Sequence, residues 1–110
     1  MKLVSVFAFA VIFVGVSETC LAADAAAGKL KAQNCAACHG ADGISTSDAF
    51  PNLAGQPKVY LIKQLKDFRV GVRKDTQMTY WAQKLTDADI ADLAEFYSQL
   101  KCAPTNPKTP

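Results

Sequence analysis

Residues 35–39 read Cys-Ala-Ala-Cys-His, and the rest of the chain is interpreted outward from this stretch. On a helical turn, positions i, i+3 and i+4 share one face, so Cys35, Cys38 and His39 fall on the same side. Two thiols at this spacing can form thioethers with the two vinyl groups of a porphyrin while the imidazole reaches its iron. The pattern therefore predicts covalent attachment of one c-type haem. Gly40, which follows directly, favours a sharp end to the turn.

Two other kinds of site compete for the same cysteines. A redox-active Cys-x-x-Cys site belongs in an alternation of strands and helices, and no strand pattern appears after residue 16. A zinc site uses paired clusters of ligands, whereas the nearest spare ligand here is Cys102, far along the chain. His39 is the only histidine in the sequence. We therefore interpret the stretch as a haem site.

The N-terminal segment predicts secretion. A lysine at the second position precedes an almost unbroken apolar stretch over residues 3–16, which is short for a membrane span and typical of a signal peptide core. We expect a signal peptide over residues 1–22, with cleavage after Ala22 or Ala23, and a periplasmic location for the mature chain. An uncleaved N-terminal anchor and a lipid anchor on Cys20 are the alternatives.

Length and charge exclude several classes of protein. The chain has 110 residues, which is enough for one domain. Its formal net charge is only +2, and no basic stripe with interleaved aromatic residues is present, so we expect no nucleic-acid partner. We also expect no stable membrane span once the signal peptide is removed. Residues 103–110 contain three prolines and are predicted to form a flexible tail.

Three helices connected by long loops are expected, and no strand. The first covers residues 24–34, where Gly28 makes sense if another helix backbone comes close. The second covers residues 57–70 and stops at Gly71. The third covers residues 86–101. The predicted fold class is therefore a small all-α domain built around a cofactor.

Apolar periodicity supports the last two helices. The second helix carries an apolar stripe made of Val59, Tyr60, Leu61, Leu65 and Phe68. In the third helix, apolar residues recur at helical spacing, and they are Ile90, Leu93, Ala94, Tyr97 and Leu100. Thr86 and Asp89 resemble a capping box at its start, with Asp in the place usual for Glu.

The second axial position on the iron decides what a haem here does. An open position permits gas binding or catalysis, whereas a second strong ligand makes an electron carrier. Met78 is the only methionine left once residues 1–22 are removed, and its polar neighbours place it outside any apolar stripe. We predict Met78 as the distal thioether ligand, with a lysine or an empty position as alternatives.

Several pieces of the chain together match one family. They are Gly28, residues 35–43, residues 50–56, residues 60–73, Met78 and residues 85–97. With these pieces the chain resembles a bacterial class I c-type cytochrome, similar to the small periplasmic monohaem carriers and to one half of the dihaem proteins. The resemblance implies three main helices and long loops around one covalent haem, in a cytochrome c domain over residues 23–102.

The resemblance also implies particular contacts. The Pro51 carbonyl would accept a hydrogen bond from Nδ1 of His39, which fixes the ring and raises its basicity. Gly28 would mark the crossing of the first and last helices, near Phe96 and Tyr97.

Four side chains outside the attachment motif have two interpretations each. Tyr80 and Trp81 either cover the haem or pack in the core. Arg73 either pairs with a haem propionate or is solvated. Cys102 has no partner once Cys35 and Cys38 hold haem, so it predicts either a disulfide-linked dimer or an unpaired thiol.

The predicted function is one-electron transfer between a redox protein donor of the respiratory chain and an oxidase or another periplasmic acceptor. On this interpretation the protein is an electron-transfer protein and not an enzyme. The alternatives are a haem subunit of a larger dehydrogenase and a five-coordinate haem that binds gases or acts as a peroxidase. A basic rim would steer acidic partners, although a solvated helix face explains the same residues, which are Lys58, Lys63, Lys66, Arg69 and Lys74.

Overall fold

The structure, a computed structural model, describes residues 22–102. The predicted signal peptide over residues 1–22 lies outside the described residues except for Ala22, and the predicted tail over residues 103–110 lies outside them entirely. Every regular element between residues 22 and 102 is helical, which confirms the all-α prediction. In that same range no helix combines the length and the apolar content needed to cross a membrane.

The described chain forms five α-helices and one short 3-10 helix. They are α1 (Ala25–Lys31), the 3-10 helix (Ala32–Asn34), α2 (Ala36–His39), α3 (Lys58–Val70), α4 (Thr76–Ala82) and α5 (Asp87–Gln99). The three predicted helices correspond to α1 with its 3-10 extension, α3 and α5. The short helix α2 is the helical turn expected at the attachment stretch, and only α4 is additional to the prediction. A long loop over residues 40–57 joins α2 to α3.

The crossing of α1 and α5 fixes the start of the domain. A Cβ atom added to Gly28 would lie 2.0 Å from the backbone oxygen of Asp92 and 2.9 Å from Cβ of Phe96. The backbone N–H of Asp24, which caps α1, donates to Oδ1 of Asp92 at 2.8 Å. Lys31 at the other end of α1 lies 3.3 Å from Oδ2 of Asp92. The prediction that Gly28 marks this helix crossing is confirmed.

We expect Gly28→Ala to destabilise the holoprotein by about 3 kcal/mol, because a methyl group there overlaps backbone and the helices must separate. Gly71→Ala is the matched control. An added Cβ at Gly71 meets no atom within 4 Å, so only its positive φ of 81° is unfavourable, at about 1–2 kcal/mol. Denaturant unfolding of both variants checks the comparison, and equal losses would contradict the close-crossing argument.

Helix α5 begins with the predicted capping box and supplies five of the ten buried apolar residues of the described chain. The Thr86 hydroxyl accepts from the Asp89 N–H at 3.1 Å, and Oδ2 of Asp89 accepts from the Thr86 N–H at 2.8 Å. This reciprocal pair satisfies N–H groups that the first helical turn leaves free. The residues that α5 buries are Ile90, Leu93, Ala94, Phe96 and Tyr97.

The apolar stripe predicted for α3 is only partly correct. Leu61 and Phe68 are buried, and Leu65 packs against the core, because these positions recur at i, i+4 and i+7 on one face. Val59 is 79% exposed and Tyr60 is 46% exposed, so both lie outside the core. The prediction is wrong for Val59 and Tyr60 because they precede Leu61 by two and one residues. At a helical spacing this rotates them away from the face that α5 covers.

Exposed ion pairs tie α3 to α5. Nη2 of Arg69 lies 2.6 Å from Oδ1 of Asp87, and Nζ of Lys66 lies 3.6 Å from its Oδ2. The hydrogen bond from Arg69, with Lys66 nearby, lowers the pKa of Asp87. A hydrogen bond from Lys58 likewise lowers the pKa of Glu95 on α5.

These two carboxylates predict a modest loss of stability in acid. A carboxyl group whose pKa is lowered on folding stabilises the fold above its unfolded value of about 4, and this contribution disappears as pH falls through the folded value. Because the pairs are exposed, we expect a small effect. Thermal unfolding between pH 7 and pH 3 measures it, and Asp87→Asn should lose less stability over that range than the wild type. Identical acid profiles would contradict the assignment.

Candidate functional site

The attachment stretch forms a single helical turn. Cys35 caps α2, and its carbonyl oxygen accepts from the His39 N–H at 2.9 Å and from the Cys38 N–H at 3.3 Å. This turn brings both cysteines and the histidine onto one helical face, as the spacing predicts. Both thiols are unpaired and partly buried.

The two competing kinds of site find no support in the described part of the chain. Residues 22–102 contain no strand, so the thioredoxin-like setting is absent there. Over the same residues, no group of three or more His, Cys, Asp or Glu side chains is arranged to hold a metal ion. A protein-only zinc site at this turn therefore has no ligand set among residues 22–102.

His39 is buried and held in one orientation. The residue is 6% exposed, and Nδ1 of its ring lies 2.8 Å from the carbonyl oxygen of Pro51. A carbonyl oxygen only accepts, so Nδ1 carries the hydrogen and donates, which leaves the lone pair on Nε2 free to bind a metal ion. Phe50 packs edge-on to the ring at 6.3 Å between centroids. The Pro51 contact that the resemblance implies is confirmed.

The loop over residues 40–57 is folded back on itself to present Pro51. The carbonyl oxygen of Gly43 accepts from the N–H groups of Leu53 and Ala54 at 2.8 and 3.0 Å. The amide oxygen of Asn52 accepts from the Ser45 N–H at 2.8 Å. These bonds join the two ends of the loop, so the Pro51 carbonyl reaches His39 from a fixed backbone rather than from a free segment.

Tyr97 lies beside the first cysteine of the turn. The Tyr97 side chain is 3% exposed, and its hydroxyl has no hydrogen-bond partner among the described residues. Its polar neighbour is the Cys35 thiol, which packs against the same core cluster. Burial raises the pKa of the Cys35 thiol, and burial first and the nearby cysteine second raise the pKa of Tyr97. The sequence places Tyr97 in an apolar stripe and near the helix crossing, but it assigns no role to the hydroxyl.

Met78 comes from α4, a separate element that packs against α3. Its backbone N–H donates to Oδ1 of Asp75 at 2.8 Å, and Asp75 caps the helix. The Met78 side chain is partly buried. The structure thus places Met78 in the first turn of a short helix, outside the turn that holds His39.

Two exposed aromatic rings follow Met78. Tyr80 is 57% exposed and Trp81 is 42% exposed, and their centroids lie 5.3 Å apart. Nζ of Lys84 lies 3.6 Å from the centroid of the Tyr80 ring and 4.7 Å from that of Trp81. Neither ring is packed in the protein core. Their role in covering haem stays a prediction.

Most of the predicted basic rim is neutralised by neighbouring carboxylates. Its ion pairs are Lys58 with Glu95, Lys63 with Asp67, and both Lys66 and Arg69 with Asp87. Arg73 stacks on the Phe68 ring at 4.5 Å and donates to the Gln64 side chain. The pairing supports the alternative of a solvated helix face over a strongly positive docking rim.

Cys102 is exposed and unpaired at the end of the described chain. Its Sγ lies 3.5 Å from the carbonyl oxygen of Ala54. The thiol therefore contacts the loop of its own chain that follows Pro51.

The side chains present fit a covalent haem. Two unpaired thiols on one face of a turn match the two vinyl groups of the porphyrin, and the free Nε2 of His39 matches an axial position on iron. The unpartnered Tyr97 hydroxyl beside Cys35 marks a place where the chain alone leaves a buried polar atom unsatisfied. The side chains at this turn are therefore arranged to hold a covalent haem.

Comparison with known proteins gives a consistent result. The family model described as Cytochrome c matches residues 25–101. Cytochrome c4 of Pseudomonas aeruginosa is 49% identical over 80 residues, which cover 73% of this chain and 40% of that protein. Cytochrome c-554(548) of Halomonas halodenitrificans is 49% identical over 80 residues, which cover 70% of this chain and 96% of that protein.

A solved structure agrees with the sequence relatives. The crystal structure of reduced recombinant cytochrome c4 from Pseudomonas stutzeri superposes with a TM-score of 0.69 at 43% identity, covering 73% of this chain and 47% of that chain. The chain thus spans about two fifths of the length of the cytochrome c4 relatives that it matches, and nearly all of cytochrome c-554(548).

Proposed function

The chain belongs to the cytochrome c family, and from this membership we propose that it works as a one-electron carrier. Family membership implies one covalently bound haem c with its iron. The observation that carries the proposal is the His39 ring, buried and bonded through Nδ1 to Pro51, directly after two unpaired cysteines on one turn.

The proposed roles of the site residues follow from their chemistry. Cys35 and Cys38 would form the two thioethers with the haem, and Nε2 of His39 and the Met78 sulfur would bind its iron. When bound, the haem supplies an iron that alternates between the ferrous and ferric states.

The protein's residues set how readily the electron moves. The Pro51 carbonyl holds the His39 ring in one orientation and raises its basicity, so the ligand does not reorganise when the charge changes. The Met78 sulfur is soft and neutral, which favours the ferrous state. Core side chains from α3 and α5, including Leu61 and Leu93, exclude water and disfavour the additional positive charge of the ferric state.

The partners and location are part of the same proposal. A redox protein of the respiratory chain donates the electron, and an oxidase or another periplasmic protein accepts it. The signal peptide over residues 1–22 places the mature chain in the periplasm. If the protein is instead the haem subunit of a dehydrogenase, it copurifies with a second polypeptide.

A disulfide-linked dimer through Cys102 stays a prediction that the structure does not support. The Cys102 sulfur faces the Ala54 carbonyl of its own chain at 3.5 Å. Non-reducing electrophoresis of the purified protein decides between the two states. Migration as a monomer alone would rule out the dimer.

The response of the reduced protein to carbon monoxide distinguishes an electron carrier from a gas-binding or peroxidatic haem protein. An iron with both axial positions filled by protein ligands leaves no site for a small gas, whereas a five-coordinate iron binds it at once. We expect the optical spectrum of the reduced protein to be unchanged by CO. Formation of a CO complex within the mixing time would contradict the carrier proposal.

A further inference from the structure

One buried polar atom near the attachment turn is left without a partner by the chain itself. The Tyr97 hydroxyl has no hydrogen-bond partner among the described residues, although the side chain is 3% exposed. A buried hydroxyl without a partner lowers stability, and such groups in native proteins have a specific explanation. Cys35 packs against the core cluster that contains Tyr97, and its thiol contributes to raising the pKa of this hydroxyl.

The Tyr97 ring has little freedom to turn away. It packs against the Phe96 ring at 5.1 Å between centroids, and its Cδ1 lies 3.1 Å from the position that a Cβ on Gly43 would occupy. The Tyr97 carbonyl oxygen accepts from the Gly55 N–H at 2.9 Å. The phenol is therefore held on both its ring and its backbone, in the core cluster against which Cys35 packs.

Haem attachment changes what the Cys35 sulfur can do in a hydrogen bond. The S–H group adds across the vinyl double bond, so one C–S bond and one C–H bond form and the thiol hydrogen moves to the adjacent vinyl carbon. No electron is gained or lost in this addition. The resulting thioether has no hydrogen, so its sulfur only accepts. In a hydrogen bond between this sulfur and a neighbouring hydroxyl, the hydroxyl must therefore be the donor.

We propose that Tyr97 is a positioning residue for the cofactor, whose O–H donates a hydrogen bond to the Cys35 thioether sulfur. This inference rests on the proposed haem attachment and extends it to a residue outside the ligand set. The bond satisfies the hydroxyl that the chain alone leaves unpaired. It also anchors the first thioether to α5, the helix that supplies five of the buried core residues.

The same bond affects the reduction potential. The hydrogen end of the O–H dipole would point at the Cys35 sulfur, and a partial positive charge there would disfavour the ferric state in a buried setting. Tyr97→Phe keeps the ring and its packing and removes only the hydroxyl. We therefore expect this variant to attach haem normally and to have a lower midpoint potential than the wild type.

The experiment compares the holoprotein in H₂O and D₂O by resonance Raman spectroscopy of the thioether C–S vibration. We expect the wild-type band to shift on exchange, because O–D replaces O–H at the sulfur, and the Tyr97→Phe band not to shift. Tyr60→Phe is the control, since it makes the same chemical change on a tyrosine that is 46% exposed. The C–S band of Tyr60→Phe should shift in D₂O like that of the wild type, and its midpoint potential should equal the wild-type value.

The outcomes separate this inference from the proposed function. A wild-type C–S band that does not respond to D₂O overturns the inference without any variant being needed. A shift that persists in Tyr97→Phe overturns it too, because another donor such as water is then responsible. A purified wild-type chain without covalent haem would instead remove the proposed function itself.

Discussion

Replacing both Cys35 and Cys38 with alanine is expected to abolish covalent haem attachment completely. Each thioether needs a thiol, and both thiols are supplied by the turn capped by Cys35. The loss reaches the fold as well, because a domain of this size buries a marginal apolar core and depends on its cofactor to complete it. Haem staining of denaturing gels and the intact mass of the secreted protein measure the effect.

Cys102→Ala is the matched control for this pair. It also removes one unpaired thiol, but the Cys102 sulfur contacts the Ala54 carbonyl away from the attachment turn. We expect this variant to stain like the wild type and to have its full haem mass. Covalent haem in the Cys35→Ala, Cys38→Ala protein, or its loss in Cys102→Ala, would show that the attachment residues are misassigned.

Met78→Ala is expected to have the second largest effect. If Met78 is the distal ligand, the weak sulfur-to-iron charge-transfer band of the ferric protein disappears entirely in the variant. The midpoint potential falls as well, because the soft neutral ligand that favours the ferrous state is gone. The vacated position then binds CO in the reduced protein. Optical titration at controlled potential records all three changes.

Two further variants distinguish ligation from helix packing. Thr79→Ala changes the neighbouring residue of α4, which is also partly buried, and should keep the band and the potential. Met78→His restores a strong distal ligand without sulfur, so CO binding should be blocked while the charge-transfer band stays absent. A wild-type ferric protein without the band would mean that Met78 is not the ligand.

Local rules in the sequence predict much of the framework. The capping box at Thr86 and the stop at Gly71 depend on neighbouring residues, and both are present in the structure. The sequence predicts that another helix backbone comes close at Gly28, because glycine inside a helix is otherwise unfavourable. The Pro51 contact with His39 came from the family resemblance, since nothing in a loop sequence specifies which carbonyl a distant ring will meet.

Features that depend on tertiary structure could not be predicted from the sequence. Helix α4 has seven residues and no apolar period, so only its cap at Asp75 signals it. The carboxylates that neutralise Lys58 and Arg69 come from α5, far along the chain. The apolar periodicity of α5 accounts for the Tyr97 ring but not for its hydroxyl, whose position beside Cys35 exists only once the helices pack.

Voltammetry of the purified holoprotein tests the central claim most directly. A carrier with two protein ligands on one haem iron should give a single reversible one-electron wave, with the same midpoint potential under CO as under argon. An absent wave, or a wave that moves or collapses when CO is added, would contradict the account of His39 and Met78 as paired axial ligands of an electron-transfer haem.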